Sequence, residues 1–220
     1  MRNILSKISK CAMVAIAATM VAPTSNAAEV TGWGDFRLFL DPGHSGRENQ
    51  GLWGYSEAEK VLDIAHTIRE YLKTYTDMPN TGIMLCRETG NETVSLTERT
   101  DAANAWDADF YYSIHSDAGS TVNTLVTLFG GWYNNGTAIE KSPKGGKEFG
   151  EYLEPNLKGV MRIGSRGNYY DRYFYDRVTN HNNKYPYLHV NRESNMASIL
   201  SEGGYHTIDT QQQRNINAEY

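Results

Sequence analysis

Short apolar runs that stop at Gly, Pro or a polar cluster alternate along this chain with stretches whose apolar residues recur every three to four positions. That alternation restricts the fold more than any other feature. Residues 36–40 form an apolar run ending in Asp41-Pro42-Gly43-His44, which reads as a buried strand closed by turn residues. From Glu57 onward, Val61, Leu62, Ile64, Ala65, Ile68 and Leu72 follow helical spacing. Residues 83–86 give a second strand. Ser95 with Glu98 has the pattern of a capping box opening a helix through Ala105. Residues 110–115 and 125–129 are further strands, residues 144–160 a helix broken or bent near Pro155, and residues 198–202 a last strand before Gly203-Gly204. Strands alternating with helices predict a single α/β domain with a mostly parallel central sheet flanked by helices. In such sheets ligands collect at the carboxyl ends of the strands.

Composition narrows the setting. Arg2, Lys7 and Lys10 precede an apolar run over residues 11–22, then Pro23 to Ala27, so residues 1–27 read as an export signal and residues 28–220 as one catalytic domain. Cys11 lacks the small and apolar neighbours of a lipoprotein cleavage site. No later stretch reaches the roughly 18 consecutive apolar residues of a membrane span, so a periplasmic or extracellular protein is expected. With Cys11 removed, Cys86 is the only thiol, and packing or a metal must supply what a disulfide would. The net charge of −5 and pI of about 5.7, without a Lys/Arg cluster, argue against a nucleic-acid partner.

Three polar side chains stand where predicted strands run out: His44, His115 after Ser113-Ile114, and Glu202 after Ser201. One such residue would ordinarily be structural, but three at strand ends converge on a site. Two histidines and a helix carboxylate would make a three-ligand set that leaves a fourth zinc position open.

Taken in order, Asp41-Pro42-Gly43-His44, Glu59-Lys60 opening a helix, Leu96-Thr97-Glu98-Arg99 with Ala103-Asn104, Ser113-Ile114-His115, and Glu202-Gly203 followed by an aromatic residue resemble the zinc-dependent N-acetylmuramoyl-L-alanine amidases. The resemblance spans roughly residues 36–208. It implies that His44, Glu59 and His115 ligate Zn2+ and that Glu202 is the catalytic carboxylate. Glu57 competes for the second ligand position. Glu59 is preferred because Lys60 follows it as in the family pattern, whereas Glu57 lies about 200° away around the helix. The implied substrate is peptidoglycan, cut between the lactyl group of N-acetylmuramic acid and L-alanine of the stem peptide. Zinc would polarise the carbonyl and lower the pKa of a water, and Glu202, costly to place in an apolar frame without purpose, would move the proton.

Departures from the family pattern are Asp117, where Asn is common, and Tyr205-His206 after Gly204. Asp117 would orient His115 or cap a loop, and His206 is read as an exposed loop residue rather than a fourth donor. The aromatic stretch from Tyr169 to Tyr187 either lines a glycan groove or packs as a surface loop, the latter preferred, and is where an autoinhibitory gate would sit. His181 and His189 match no motif. Rival readings are an exported zinc peptidase and a metal-free peptidoglycan-binding domain. The last residues read as helix without a breaker, so the natural chain is expected to continue past Tyr220, and an activator protein stays unidentified.

Overall fold

The computed structural model describes residues 30–46, 48–180 and 182–216. Residues 1–27, read above as an export signal, His181 and residues 217–220 lie outside them. Among the described residues no helix is long and apolar enough to cross a membrane.

In chain order the elements are β1 (Leu38–Pro42), α1 (Glu57–Tyr75), β2 (Ile83–Leu85), α2 (Leu96–Ala105), β3 (Phe110–Asp117), β4 (Thr124–Phe129), β5 (Gly131–Asn134), β6 (Thr137–Glu140), α3 (Gly146–Met161), β7 (Gly164–Tyr170), α4 (Asp171–Asp176), α5 (His189–Glu193), β8 (Ala197–Tyr205) and α6 (Asp209–Ile216). Six strands form one sheet in the order β2-β1-β3-β8-β4-β7. β2, β1, β3 and β8 run parallel, whereas β4 is antiparallel to β8 and carries β7 with it. The expected α/β fold with a mostly parallel, helix-flanked sheet is therefore present.

Alternating residues divide between two faces. Leu38, Leu40, Tyr112, Ile114 and Ile199 pack with Val61 and Leu62 of α1 and Phe149 and Leu153 of α3. Phe39, Tyr111, Val126, Leu128 and Leu200 pack on the other face with Ala103 of α2, Val190 of α5 and the partly buried Tyr169 and Phe174. Both faces are covered, which is why the parallel strands read as nearly continuous apolar runs.

Local signals held at the helix starts. Ser95 Oγ accepts from Glu98 N and Glu98 Oε2 accepts from Ser95 N, completing the capping box of α2. α3 runs unbroken through Pro155. Pro155 and Glu151 are both exposed, so water can satisfy the Glu151 carbonyl that loses its intrahelical donor. The β5–β6 hairpin, β7 and the short helices α4 and α5 were not foreseen.

Candidate active site

The turn after β1 is held by two buried arginines. Arg99 gives its guanidinium to Asp41 Oδ1 at 2.7 Å, to the carbonyls of Pro42 and His44, and to Ser45 Oγ. Arg87 donates to the carbonyls of Pro42, Gly43 and Ala58. Asp41 also accepts from Ser113 Oγ at 2.6 Å. Burial would raise the Asp41 pKa, but the Arg99 charge and these hydrogen bonds hold it below the usual carboxylate range. Clamped in this way, His44 keeps a left-handed backbone with φ 58°, a conformation a non-glycine residue retains only when its surroundings enforce it. Gly43 must lack a Cβ, because one would overlap the His115 ring.

His44 and His115 meet edge to face with ring centroids 5.0 Å apart. The carboxylate between them belongs to Glu57. Its Oε2 lies 3.2 Å from His44 Nε2 and accepts from Asn49 Nδ2 at 2.8 Å, while its Oε1 lies 3.1 Å from His115 Nδ1 and accepts from Ser116 N at 2.8 Å. Among the described residues, His44, Glu57 and His115 bring ligand atoms within 4.8 Å of one another. Two imidazoles and one carboxylate from three separate elements suit a divalent cation with open coordination positions. Burial alone would raise the Glu57 pKa. Hydrogen bonds and charge from the two histidines outweigh it and keep the carboxyl well below its ordinary range.

The expectation for Glu59 is corrected here. Ser56 caps α1, so Glu57 is its first residue and points back toward the sheet. Glu57 is fully buried and shares a stripe with Val61 and Ala65, both also buried. Glu59 shares its side of the helix with exposed Asp63. The roughly 200° separation between the two acids was right, but the Lys60 pattern picked the wrong face, and the buried stripe itself would have selected Glu57.

Glu202 lies opposite His115 in the β3–β8 register and opposite Val126 in β4. Its Oε2 is buried without a hydrogen-bond partner among the described residues. Burial, joined by the negative charges of Asp117 and Glu57, pushes its pKa well above the ordinary value, with Arg166 opposing. A carboxyl in this position readily holds a proton.

Of two neighbours, His206 differs from expectation and Asp117 follows one of its two readings, the loop cap. His206 is buried rather than exposed, at 2% of its surface. It stacks on Tyr55 and pairs through Nδ1 with Ser116 Oγ at 2.9 Å, and Ser116 also meets the Tyr55 hydroxyl at 2.9 Å. Ser116 therefore links this pair to Glu57, the acid its own N–H contacts. Burial lowers the His206 pKa. Asp117 pairs with Arg166 and caps Ala118 N, while Glu57 is the acid at His115 Nδ1. Arg166, in the unforeseen β7, spreads its guanidinium over Phe174 and Tyr205 at 5.0 and 5.3 Å.

Two histidines and a desolvated carboxyl at the carboxyl ends of adjacent parallel strands, with the Glu57 carboxylate of α1 between the histidines, make an α/β domain with a candidate divalent-metal site. The sequence profile of the N-acetylmuramoyl-L-alanine amidase family matches residues 38–220, and the chain belongs to that family. It is 28% identical over 176 residues to the N-acetylmuramoyl-L-alanine amidase CwlM of Bacillus licheniformis, covering 77% of this chain and 56% of that protein. It is 29% identical over 181 residues to the sporulation-specific N-acetylmuramoyl-L-alanine amidase of Bacillus subtilis strain 168, covering 79% and 57%. The chain thus spans a little over half the length of these curated relatives. The crystal structure of an N-acetylmuramoyl-L-alanine amidase from Clostridium difficile 630 superposes with a TM-score of 0.66 at 26% identity, covering 85% of this chain and 89% of that one.

Proposed function

We propose that this chain is an exported zinc amidase of peptidoglycan that hydrolyses the bond between the lactyl group of N-acetylmuramic acid and L-alanine of the stem peptide. His44, Glu57 and His115 would hold Zn2+, with Glu57 in the place first given to Glu59, and Glu202 is the catalytic carboxylate. The observation that carries the reading is Glu202 beside His115, one strand away from a His–Glu–His donor set, in a chain of this family.

Bound zinc would supply a Lewis acid for the scissile carbonyl and a dication that makes water more acidic. The protein does the rest. Glu202 takes a proton from the attacking water and delivers it to the departing amine nitrogen, and the affinity for protons that burial confers suits that shuttle. The Asn49 amide and the Ser116 N–H fix the Glu57 carboxylate, and the Arg99 and Arg87 clamp fixes His44, so the donors need little reorganisation. A peptidoglycan substrate puts the protein outside the cytoplasm, in line with the signal read in residues 1–27.

Incubating the purified chain with peptidoglycan and identifying the fragments by mass spectrometry tests this. Stem peptides with free L-alanine amino termini, abolished by chelation, restored by zinc and absent with Glu202→Gln, are expected. Cuts within the stem peptide would replace the reading with the peptidase, and binding without any cut would replace it with the binding domain.

A further inference from the structure

The segment from Tyr169 to Tyr187 holds two buried charges whose partners lie outside the His44–Glu57–His115 cluster. Asp171, fully buried at the start of α4, accepts from Gly131 N, Tyr187 N, Leu188 N and Asn191 Nδ2. Arg172, 7% exposed, donates to the carbonyls of Tyr185 and Pro186 and to Asp176, and lies over the rings of Tyr185 and Tyr187 at 4.7 and 5.3 Å. Buried charges are costly unless fully partnered. Here Arg172 and two of the bonds to Asp171 fasten residues 185–188 to α4, and Gly131 and Asn191 complete the Asp171 shell.

What the fastening positions is a pair of exposed rings. Tyr175 of α4 and Tyr187 stack with centroids 4.4 Å apart and planes 20° from parallel, and each keeps 43% of its surface in solvent. The pair is joined to the site through Phe174 and Arg166. Phe174 packs on the sheet face that carries Leu200, and strand alternation puts Glu202 on that same face. Phe174 also holds Arg166, whose partner Asp117 follows His115 by two residues, and meets the Tyr175 ring edge to face at 5.3 Å.

We propose that the Tyr175–Tyr187 pair is a saccharide subsite on which an N-acetylhexosamine ring of the glycan strand stacks while its lactyl amide reaches Glu202. This rests on the peptidoglycan reading above. In that substrate the scissile amide hangs from the sugar ring through a lactyl group alone, so a sugar ring must lie close to the carboxylate. Tyr187 has Tyr175 stacked against it and Arg172 over its ring, so it backs Tyr175, whose outer face offers an apolar surface for the C–H side of a pyranose. Both phenols can meet the sugar's hydroxyl and acetamido groups, with little conformational entropy left to lose. The charge of Arg172 is committed to Asp176 and backbone carbonyls, so the patch suits a neutral ring better than a carboxylate or phosphate.

The test measures saccharide binding apart from hydrolysis. The full chain is titrated with glycan strands stripped of peptide, followed by NMR. Wild type and Glu202→Gln should bind alike, Tyr187→Ala and Tyr175→Ala should weaken binding by about 10-fold, and Tyr187→Trp should retain it. On intact peptidoglycan the alanine variants should raise KM by a similar factor, leave kcat within about twofold and keep wild-type circular dichroism. Strands that bind all variants equally, or not at all, overturn the subsite. Binding that depends on the tyrosines in a wild type that cuts no muramoyl amide upholds the subsite and overturns the amidase reading instead.

Discussion

The two halves of the sheet are built differently. On the parallel half, β1, β3 and β8 present His44, His115 and Glu202 at their carboxyl ends, and buried arginines lock the loops that shape the cluster. On the antiparallel half, β4 leads into the β5–β6 hairpin and β7 into the short helix α4, where aromatic rings and Arg177 stack over one another near the surface. The first half fixes reactive groups through charge-assisted hydrogen bonds in the interior. The second shapes a surface with rings, and its buried charges tie backbone to backbone. Substitutions should therefore affect chemistry and global stability on the parallel half, and ligand affinity on the other.

The largest effect expected is on turnover: Glu202→Gln should lower kcat by about 10²–10⁴-fold, seen as loss of peptide release at unchanged circular dichroism. A residual rate near wild type would remove Glu202 from the proton path and erase the chemical difference between the halves.

Next is stability. Asp41→Ala leaves Arg99 buried without its carboxylate and should cost roughly 3–5 kcal/mol in urea unfolding, whereas Tyr175→Ala, on an exposed ring, should cost no more than about 1 kcal/mol. Equal losses would mean that the clamp on the β1 turn is no more important to the fold than the aromatic edge.

Acid should reveal the same clamp. The Asp41 pKa is lowered in the folded state, so its contribution is present above the unfolded value near 3.8 and disappears as pH falls through the lower folded value. The urea midpoint of wild type should thus drop more steeply below about pH 4 than that of Asp41→Asn, which has no such proton to bind. Parallel curves would assign acid sensitivity elsewhere.

Smaller effects sharpen the picture around Glu57. Ser116→Ala removes the hydroxyl that links Tyr55 and His206 but keeps the N–H that holds Glu57. It should weaken metal affinity at the low end of the roughly 10–100-fold range for outer-shell changes, read by chelator competition. A stronger loss would show that the hydroxyl chain, more than the N–H, orients the carboxylate.

The parallel half was the legible one. Its strands β1, β3 and β8 carry apolar runs that show in the sequence, the capping box at Ser95 marks a helix start, and turn or polar residues announce where these strands stop. His44, His115 and Glu202 stood out as candidates because polarity at the end of an apolar run is visible without neighbours. Glu57 was set second to Glu59 because Lys60 was weighed above the 57–61–65 stripe, a local signal of which face the helix buries. β7 escaped because Gly164, Arg166, Gly167 and Asn168 give it little apolar alternation, and pairing with β4 makes it a strand. α4 and α5 have only 6 and 5 residues, too short for a helical period to emerge, and their order comes from partners distant in sequence. The burial of His206 likewise depends on Tyr55 and Ser116, residues far away along the chain.

The central claim is that Glu57, not its neighbour two residues on, completes the donor set. Zinc content measured on purified wild type, Glu57→Ala and Glu59→Ala tests it directly. The account predicts about one zinc per chain in wild type and Glu59→Ala, and little or none in Glu57→Ala. Metal retained by Glu57→Ala and lost from Glu59→Ala would contradict it.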